Sequence, residues 1–154
     1  MRTILLSLKP DVYDNVKKGR KIYEHRKVFP NETIKAYIYI SRPVQALAGV
    51  MILGNRTALN EWKKKYCYDG DAQKRINEYL KKYKFAMEIQ EFQDTTQIQL
   101  KKIKNDFPKF VIPQMYYFID DTDLLKYLEE KLIPVGNLIK HEFQIIDSRK
   151  ICVC

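Results

Sequence analysis

Apolar positions along the chain change their period repeatedly, and each change predicts an element. Residues 3–8 form a short apolar run suited to a buried strand. Pro10 then opens a helix over residues 11–18, with Val12, Tyr13 and Val16 at helical spacing, Lys17 and Lys18 in the last turn and Gly19 as the stop. Residues 21–28 read as extended, and Pro30-Asn31 marks a turn. Residues 34–40 are rich in β-branched and aromatic side chains and predict a strand. After Ser41-Arg42-Pro43, residues 45–53 form another apolar segment that ends at Gly54-Asn55.

From residue 56 the spacing turns helical. Thr57 is placed to cap a helix over residues 58–66, with Leu59, Trp62 and Tyr66 on its buried side. Asp69-Gly70-Asp71 breaks it, and a second helix over 72–81 buries Ile76, Tyr79 and Leu80. Residues 83–92 alternate as a strand, Tyr83, Phe85, Met87 and Ile89 on one face. Residues 98–100 fit a short strand or the start of a helix, 107–113 a loop between Pro108 and Pro113, and 115–119 a further strand. Asp121-Thr122-Asp123 caps a helix over 124–132, stopped by Pro134 and Gly136, and 138–146 is the last strand. The strands are short and many connections are too short for parallel crossovers. The expected class is α+β: a mostly antiparallel sheet or barrel with helices outside it. Residues 1–120 read as the main domain, and residues 121–154 as a helix-strand extension packed on it.

Composition narrows the classes. The chain has 154 residues, 45% hydrophobic and 12% aromatic, which excludes disorder and suffices for a core without staples. No apolar stretch is long enough to cross a membrane, and Lys9-Pro10 interrupts the first apolar run too early for a signal segment. Three cysteines, Cys67, Cys152 and Cys154, make no evenly paired framework and point to a reducing, cytoplasmic setting. The net charge of +9 is one-sided: residues 1–90 hold 19 basic and 9 acidic side chains, residues 91–154 hold 9 and 10. Such a surplus fits an acidic partner, and equally a solvated surface.

The most informative stretch is Gly19-Arg20-Lys21-Ile22-Tyr23-Glu24-His25-Arg26. In an extended segment Ile22, Glu24 and Arg26 share one face, and Lys21, Tyr23 and His25 the other. Arg26 offers a bidentate-capable cation, Lys21 a point charge, and Glu24 a carboxylate that orients both or accepts from a base edge. The same spacing also fits a surface salt-bridge ladder worth about 0–1 kcal/mol.

Gly19, Lys21, Glu24 and Arg26 match the Gly-x-Lys-x-x-Glu-x-Arg signature, and the segment resembles the ASCH domain (activating signal cointegrator homology) of the PUA-like superfamily. Leu6-Ser7-Leu8-Lys9-Pro10, Tyr37 to Pro43, Ala48-Gly49-Val50, Phe85 to Ile89, Ile98-Gln99-Leu100 and Pro113-Gln114-Met115-Tyr116 resemble the family's other segments in order. The resemblance covers about residues 3–120. It implies a PUA-like, mostly antiparallel β-barrel with flanking helices and a cleft that holds RNA or a nucleotide. On that basis Lys9, Lys21, Glu24, Arg26, Ser41, Gln114 and Tyr116 are the expected binding residues. Lys9, Lys21 and Arg26 would contact phosphate or carbonyl groups, and Gln114 and Tyr116 would line the floor. Some relatives hydrolyse the amide of acetylated cytidine with a lysine, a threonine three residues on, and a glutamate; here that second position is Glu24. Lys21 and Glu24 are the candidates for any catalytic role. Alternatives to a binding module are therefore a small hydrolase acting on a modified nucleoside or RNA, or a protein-interaction domain using residues 121–154.

Two basic-aromatic runs, Lys63 to Tyr68 and Lys81 to Lys84, fit phosphate contact with base stacking, or simply the solvated side of helices. Cys152 and Cys154, with Cys67, His25 and His141, show no zinc-ligand spacing, so no metal is expected and the terminus reads as frayed with free thiols. No glycine-rich phosphate loop is present, and no cofactor is expected.

Overall fold

The computed structural model describes all 154 residues. Its strands are β1 (Arg2–Leu8), β2 (Tyr23–Arg26), β3 (Ile34–Ile40), β4 (Ala46–Ala58), β5 (Phe85–Gln93), β6 (Ile98–Gln99), β7 (Tyr116–Phe118) and β8 (Ile139–Lys140). Its helices are α1 (Pro10–Lys17), α2 (Leu59–Lys65), α3 (Gly70–Leu80), α4 (Leu100–Asp106) and α5 (Asp123–Lys131). The strands join in one curled sheet, a half-barrel of order β2-β5-β4-β3-β1-β7, with β6 pairing β4 and β8 pairing β5. Every pairing between strands is antiparallel except β1 with β3, whose connection passes through α1 and β2.

The central strands are buried on both faces, which is why they read as continuous apolar runs. Ile4, Leu6 and Leu8 of β1 join Ile34, Ala36, Ile38 and Ile40 of β3 beneath Tyr13 and Val16 of α1. The opposite face, with Leu5, Tyr37, Tyr39 and Leu47, is covered by Ile103 of α4 and by Leu128 and Leu132 at α5. A third core lies where Ile22, Tyr23 and Ala86 meet Leu59, Trp62 and Ile76 of α2 and α3.

Several boundaries differ from the sequence expectation. Gly54-Asn55 does not end its strand. β4 runs on to Ala58 through a register shift between Gly54 and Thr57, with Asn55 at a φ of +48°. Thr57 is thus a strand residue and not a helix cap; Ala58 stands at the cap position without a side-chain bond. Asp69 lies in the expected break between α2 and α3 and also caps α3, which starts at Gly70, accepting from the Ala72 amide at 3.1 Å. A second shift in β5, opposite Ile52 and Leu53, resets the alternation, so Phe92 follows Phe85, Met87 and Ile89 into the same core. The last expected strand shrinks to two residues. Residues 98–106 satisfy both readings, a two-residue strand leading directly into α4.

The final segment is not frayed. Ser148 accepts from Arg75 Nη2 at 2.6 Å and bonds Asp69 at 2.5 Å, and Ile151 and Cys152 are buried in the third core.

Candidate functional site

The chain end of α1 sets the position of the signature. Gly19 turns with a φ of +74°, and the amides of Arg20 and Lys21 both donate to the Asn15 carbonyl, at 2.9 and 3.1 Å. The chain then enters β2, an edge strand held to β5 with Tyr23 opposite Glu88 and Arg26 opposite Phe85. Within β2 the alternation is as expected: Glu24 and Arg26 bond each other, while Tyr23 and His25 pack on Trp62. It does not extend to the two residues before the strand. Ile22 joins the Tyr23 side, and Lys21 sits between Glu24 and His25.

The ion cluster is not a surface ladder. Lys21 and Glu24 are 2% and 5% exposed. Glu24 accepts from Arg26 Nη2 at 3.1 Å and from the His25 amide at 3.0 Å, and lies 3.7 Å from Lys21 Nζ. Arg26 Nη2 also donates to the Ser7 carbonyl at 2.9 Å. Lys21 Nζ donates to the Val153 carbonyl at 2.9 Å and lies 3.3 Å from His25 Nδ1. An ammonium has three donors, and here three acceptors surround it. Burial pushes the Lys21 ammonium below its ordinary value, against the pull of Glu24. Burial likewise opposes the Glu24 charge, but Arg26, Lys21 and the His25 amide outweigh it and hold the carboxyl below its usual value.

His25 is enclosed by Lys21 and the rings of Trp62, Tyr79 and Tyr83, with centroids 4.8 Å apart for Tyr79. Burial first, and the Lys21 charge second, hold its imidazole well below 6.5. The unfolded chain therefore takes up a proton below about pH 6.5 that the folded chain refuses, so stability falls as pH falls. Each pH unit below that point is expected to remove up to about 1.4 kcal/mol through His25. His141, half-buried, shifts the same way through burial and Lys150 and adds a smaller share. Denaturant titrations at pH 7 and pH 5 on the wild type and His25→Gln check this. An unchanged pH dependence in the variant would remove His25 as the cause.

Lys21, Glu24, His25, Arg26, Tyr79 and Tyr83 line a cleft of about 440 Å³. Six of the seven residues expected from the sequence come together there: Lys9, Lys21, Glu24, Arg26, Ser41 and Gln114. Tyr116 does not line it; its ring packs 5.3 Å from Phe29 and 6.2 Å from Phe118. Lys82 and Tyr83 of the second basic-aromatic run border the cleft, whereas Lys63 to Tyr68 do not. Lys9 and Lys82 are exposed at its rim, beside Asp11. Tyr79, Asp11 and Cys154 also line the cleft, although the sequence reads Tyr79 as part of a helix stripe and gives Asp11 and Cys154 no place in the site. A larger apolar groove of about 960 Å³, formed by residues such as Phe107, Phe110 and Leu124, shares no residue with the cleft and holds no comparable charge cluster. No group of three His, Cys, Asp or Glu side chains comes together in the fold. No helix is long and apolar enough to cross a membrane.

No family model and no curated protein matches the chain. Solved structures do. The chain is similar to the ASCH protein of Zymomonas mobilis, at 20% identity and a TM-score of 0.64 over 84% of this chain and 95% of that one. A serine-to-alanine variant of that protein gives 20% identity and 0.64 over 83% and 95%. A tyrosine-to-phenylalanine variant gives 18% identity and 0.63 over 84% and 99%. With that agreement over more than four-fifths of the chain, the half-barrel and its outer helices have the fold of the ASCH structures.

Proposed function

We propose that the chain is an RNA- or nucleotide-binding module whose ligand lies in the cleft beside Lys21, Glu24 and Arg26. The observation that carries this reading is the convergence of six signature-related polar residues on one concave surface. Lys9 and Lys82 on the rim supply cations that no acidic side chain neutralises directly and that suit a phosphate backbone. Tyr83 offers a ring for stacking beside them. Ser41 and Gln114 contribute neutral donors and acceptors that fit a base edge.

Binding is favoured over amide hydrolysis by the state of Lys21. Burial does lower its affinity for a proton, as a base requires, but Val153 and His25 take up its donors and the Glu24 carboxylate 3.7 Å away favours the ammonium. The position that carries threonine in the hydrolytic relatives carries Glu24, which bonds Arg26 and the backbone.

The test is a titration of a fluorescent single-stranded RNA. If about three phosphates are contacted, affinity falls about 20-fold between about 50 and 200 mM salt. Lys9→Ala/Lys82→Ala, which leaves the buried cluster intact, is expected to weaken binding about tenfold and flatten the salt dependence. Equal affinity in the double variant would place the ligand elsewhere.

A further inference from the structure

The Lys21 side of the cleft already has an occupant. Val153 presents its backbone carbonyl to Lys21 Nζ at 2.9 Å. The backbone oxygen of Cys154 accepts from Asn15 Nδ2 at 2.8 Å, and the Cys154 thiol meets the Tyr79 hydroxyl at 2.9 Å. Cys154 thereby forms part of the cleft wall. The anchor lies just before: Ile151 is fully buried and Cys152 nearly so in the third core. Between anchor and occupant, Cys152 turns the chain with a φ of +51°, a conformation that side-chain-bearing residues adopt rarely. Val153 and Cys154, next to a firm anchor, are thus aimed at the one buried ammonium of the site and held there by these three hydrogen bonds, Val153 partly buried and Cys154 exposed.

We infer that Val153 and Cys154 are a built-in competitor for the cleft, displaced when an oxygen acceptor of the ligand takes the Lys21 ammonium in place of the Val153 carbonyl. The inference rests on the reading of this cleft as the RNA or nucleotide site and adds its regulation. While the segment is docked, Lys21 Nζ is hydrogen-bonded to the Val153 carbonyl and 3.3 Å from His25 Nδ1, with Glu24 3.7 Å away as its ion partner, so the Val153 carbonyl holds the ammonium's shortest contact. A ligand that engages only Lys9, Arg26 and Lys82 leaves the segment in place. One that reaches Lys21 exchanges one carbonyl-type acceptor for another, so the ammonium never stands unpaired, and the segment swings about Cys152 while Ile151 stays buried. The docked state sets the resting affinity, and anything that captures the released residues raises it.

The experiment compares the full chain with a chain ending at Cys152, which keeps both anchors. Thermal melts first establish that both fold. The shortened chain is expected to bind the fluorescent single-stranded RNA about tenfold more tightly, the scale of one charge-assisted hydrogen bond no longer competed for. In the full chain, NMR signals of the Val153 methyl groups are expected to move to disordered-chain positions as RNA saturates. Asn15→Ala, which removes the hydrogen bond to the Cys154 backbone oxygen without shortening the chain, is expected to tighten binding in the same direction by a smaller factor. If RNA binds through Lys9 and Lys82 but the shortened chain binds no tighter and Val153 does not move, the segment is a fixed wall and the inference falls alone. If neither chain binds RNA, the functional reading falls and takes the inference with it.

Discussion

Glu24→Ala is expected to lower the stability of the fold by about 3–5 kcal/mol, the range for removing one partner of a buried ion cluster. For a chain of this size that corresponds to a fall in Tm of roughly 10 °C. The reason is what stays behind. Arg26 and Lys21 remain in place, 14% and 3% exposed at their side chains, with their common carboxylate gone. Arg26 Nε already has no hydrogen-bond partner, so the guanidinium would keep only the Ser7 carbonyl. Glu24→Gln, which preserves volume and an acceptor for the His25 amide, is expected to lose less. Glu32→Ala is the control: its pair with Arg2 is exposed, so its loss is expected to be far smaller. The pH behaviour has a definite sign. Because the folded carboxyl is held below its ordinary value, the contribution of Glu24 is complete above the usual carboxylate range and is lost as pH falls through the depressed value. Denaturant unfolding of the three variants checks this, and a Glu24→Ala loss no larger than that of Glu32→Ala would return the cluster to the status of a surface ladder.

The second large effect is expected at Gly49. Its φ of +77° lies in the left-handed region, and an added Cβ would overlap the Tyr13 hydroxyl and meet the ring carbons Cε2 and Cζ at 2.9 and 3.0 Å. Gly49→Ala combines a backbone term of about 1–2 kcal/mol with an overpacking term of about 1–3, so a loss near 3 kcal/mol is expected. Tyr13 cannot simply swing away. Its hydroxyl donates to Asp94 at 2.7 Å, its ring lies edge-on to Phe92 at 5.5 Å, and it carries the packing of α1 on the sheet. A Gly49→Ala/Tyr13→Leu double variant separates the two terms, since the overlap vanishes and the backbone term stays. Losses that add without interaction would show that Tyr13 is not the obstacle.

What could be read from the sequence divides along physical lines. β3 was legible to the residue and β1 to within one, because strands buried on both faces leave uninterrupted apolar runs between turn residues. α1 was legible from Pro10 and Gly19, which act locally. β4 was not, since a register shift lets a strand continue through Gly54-Asn55, and only the partner strand β5 makes that continuation favourable. The signature's meeting with Lys9, Ser41 and Gln114 followed from resemblance rather than from spacing. Tyr116, by the same route, was expected in the cleft and instead packs on Phe29. Lys21 and His25 share a face in the extended reading, but their direct contact needs the alternation to fail over the two residues before β2. The contact of Lys21 with Val153 had no sequence signal at all, since it joins positions 132 apart.

The place of β2 in the sheet also bears on how the chain reaches this fold. β2 neighbours neither β1 nor β3, and its only strand partner is β5. At synthesis rates of about 5–20 residues per second, β2 waits several seconds for β5 to be made. Throughout that interval it is an unpaired edge, the kind of surface that recruits strands from other chains. Lys21, Glu24 and Arg26, still hydrated, put charge of both signs on that edge. Charge of that kind disfavours pairing with strands of other chains until β5 arrives.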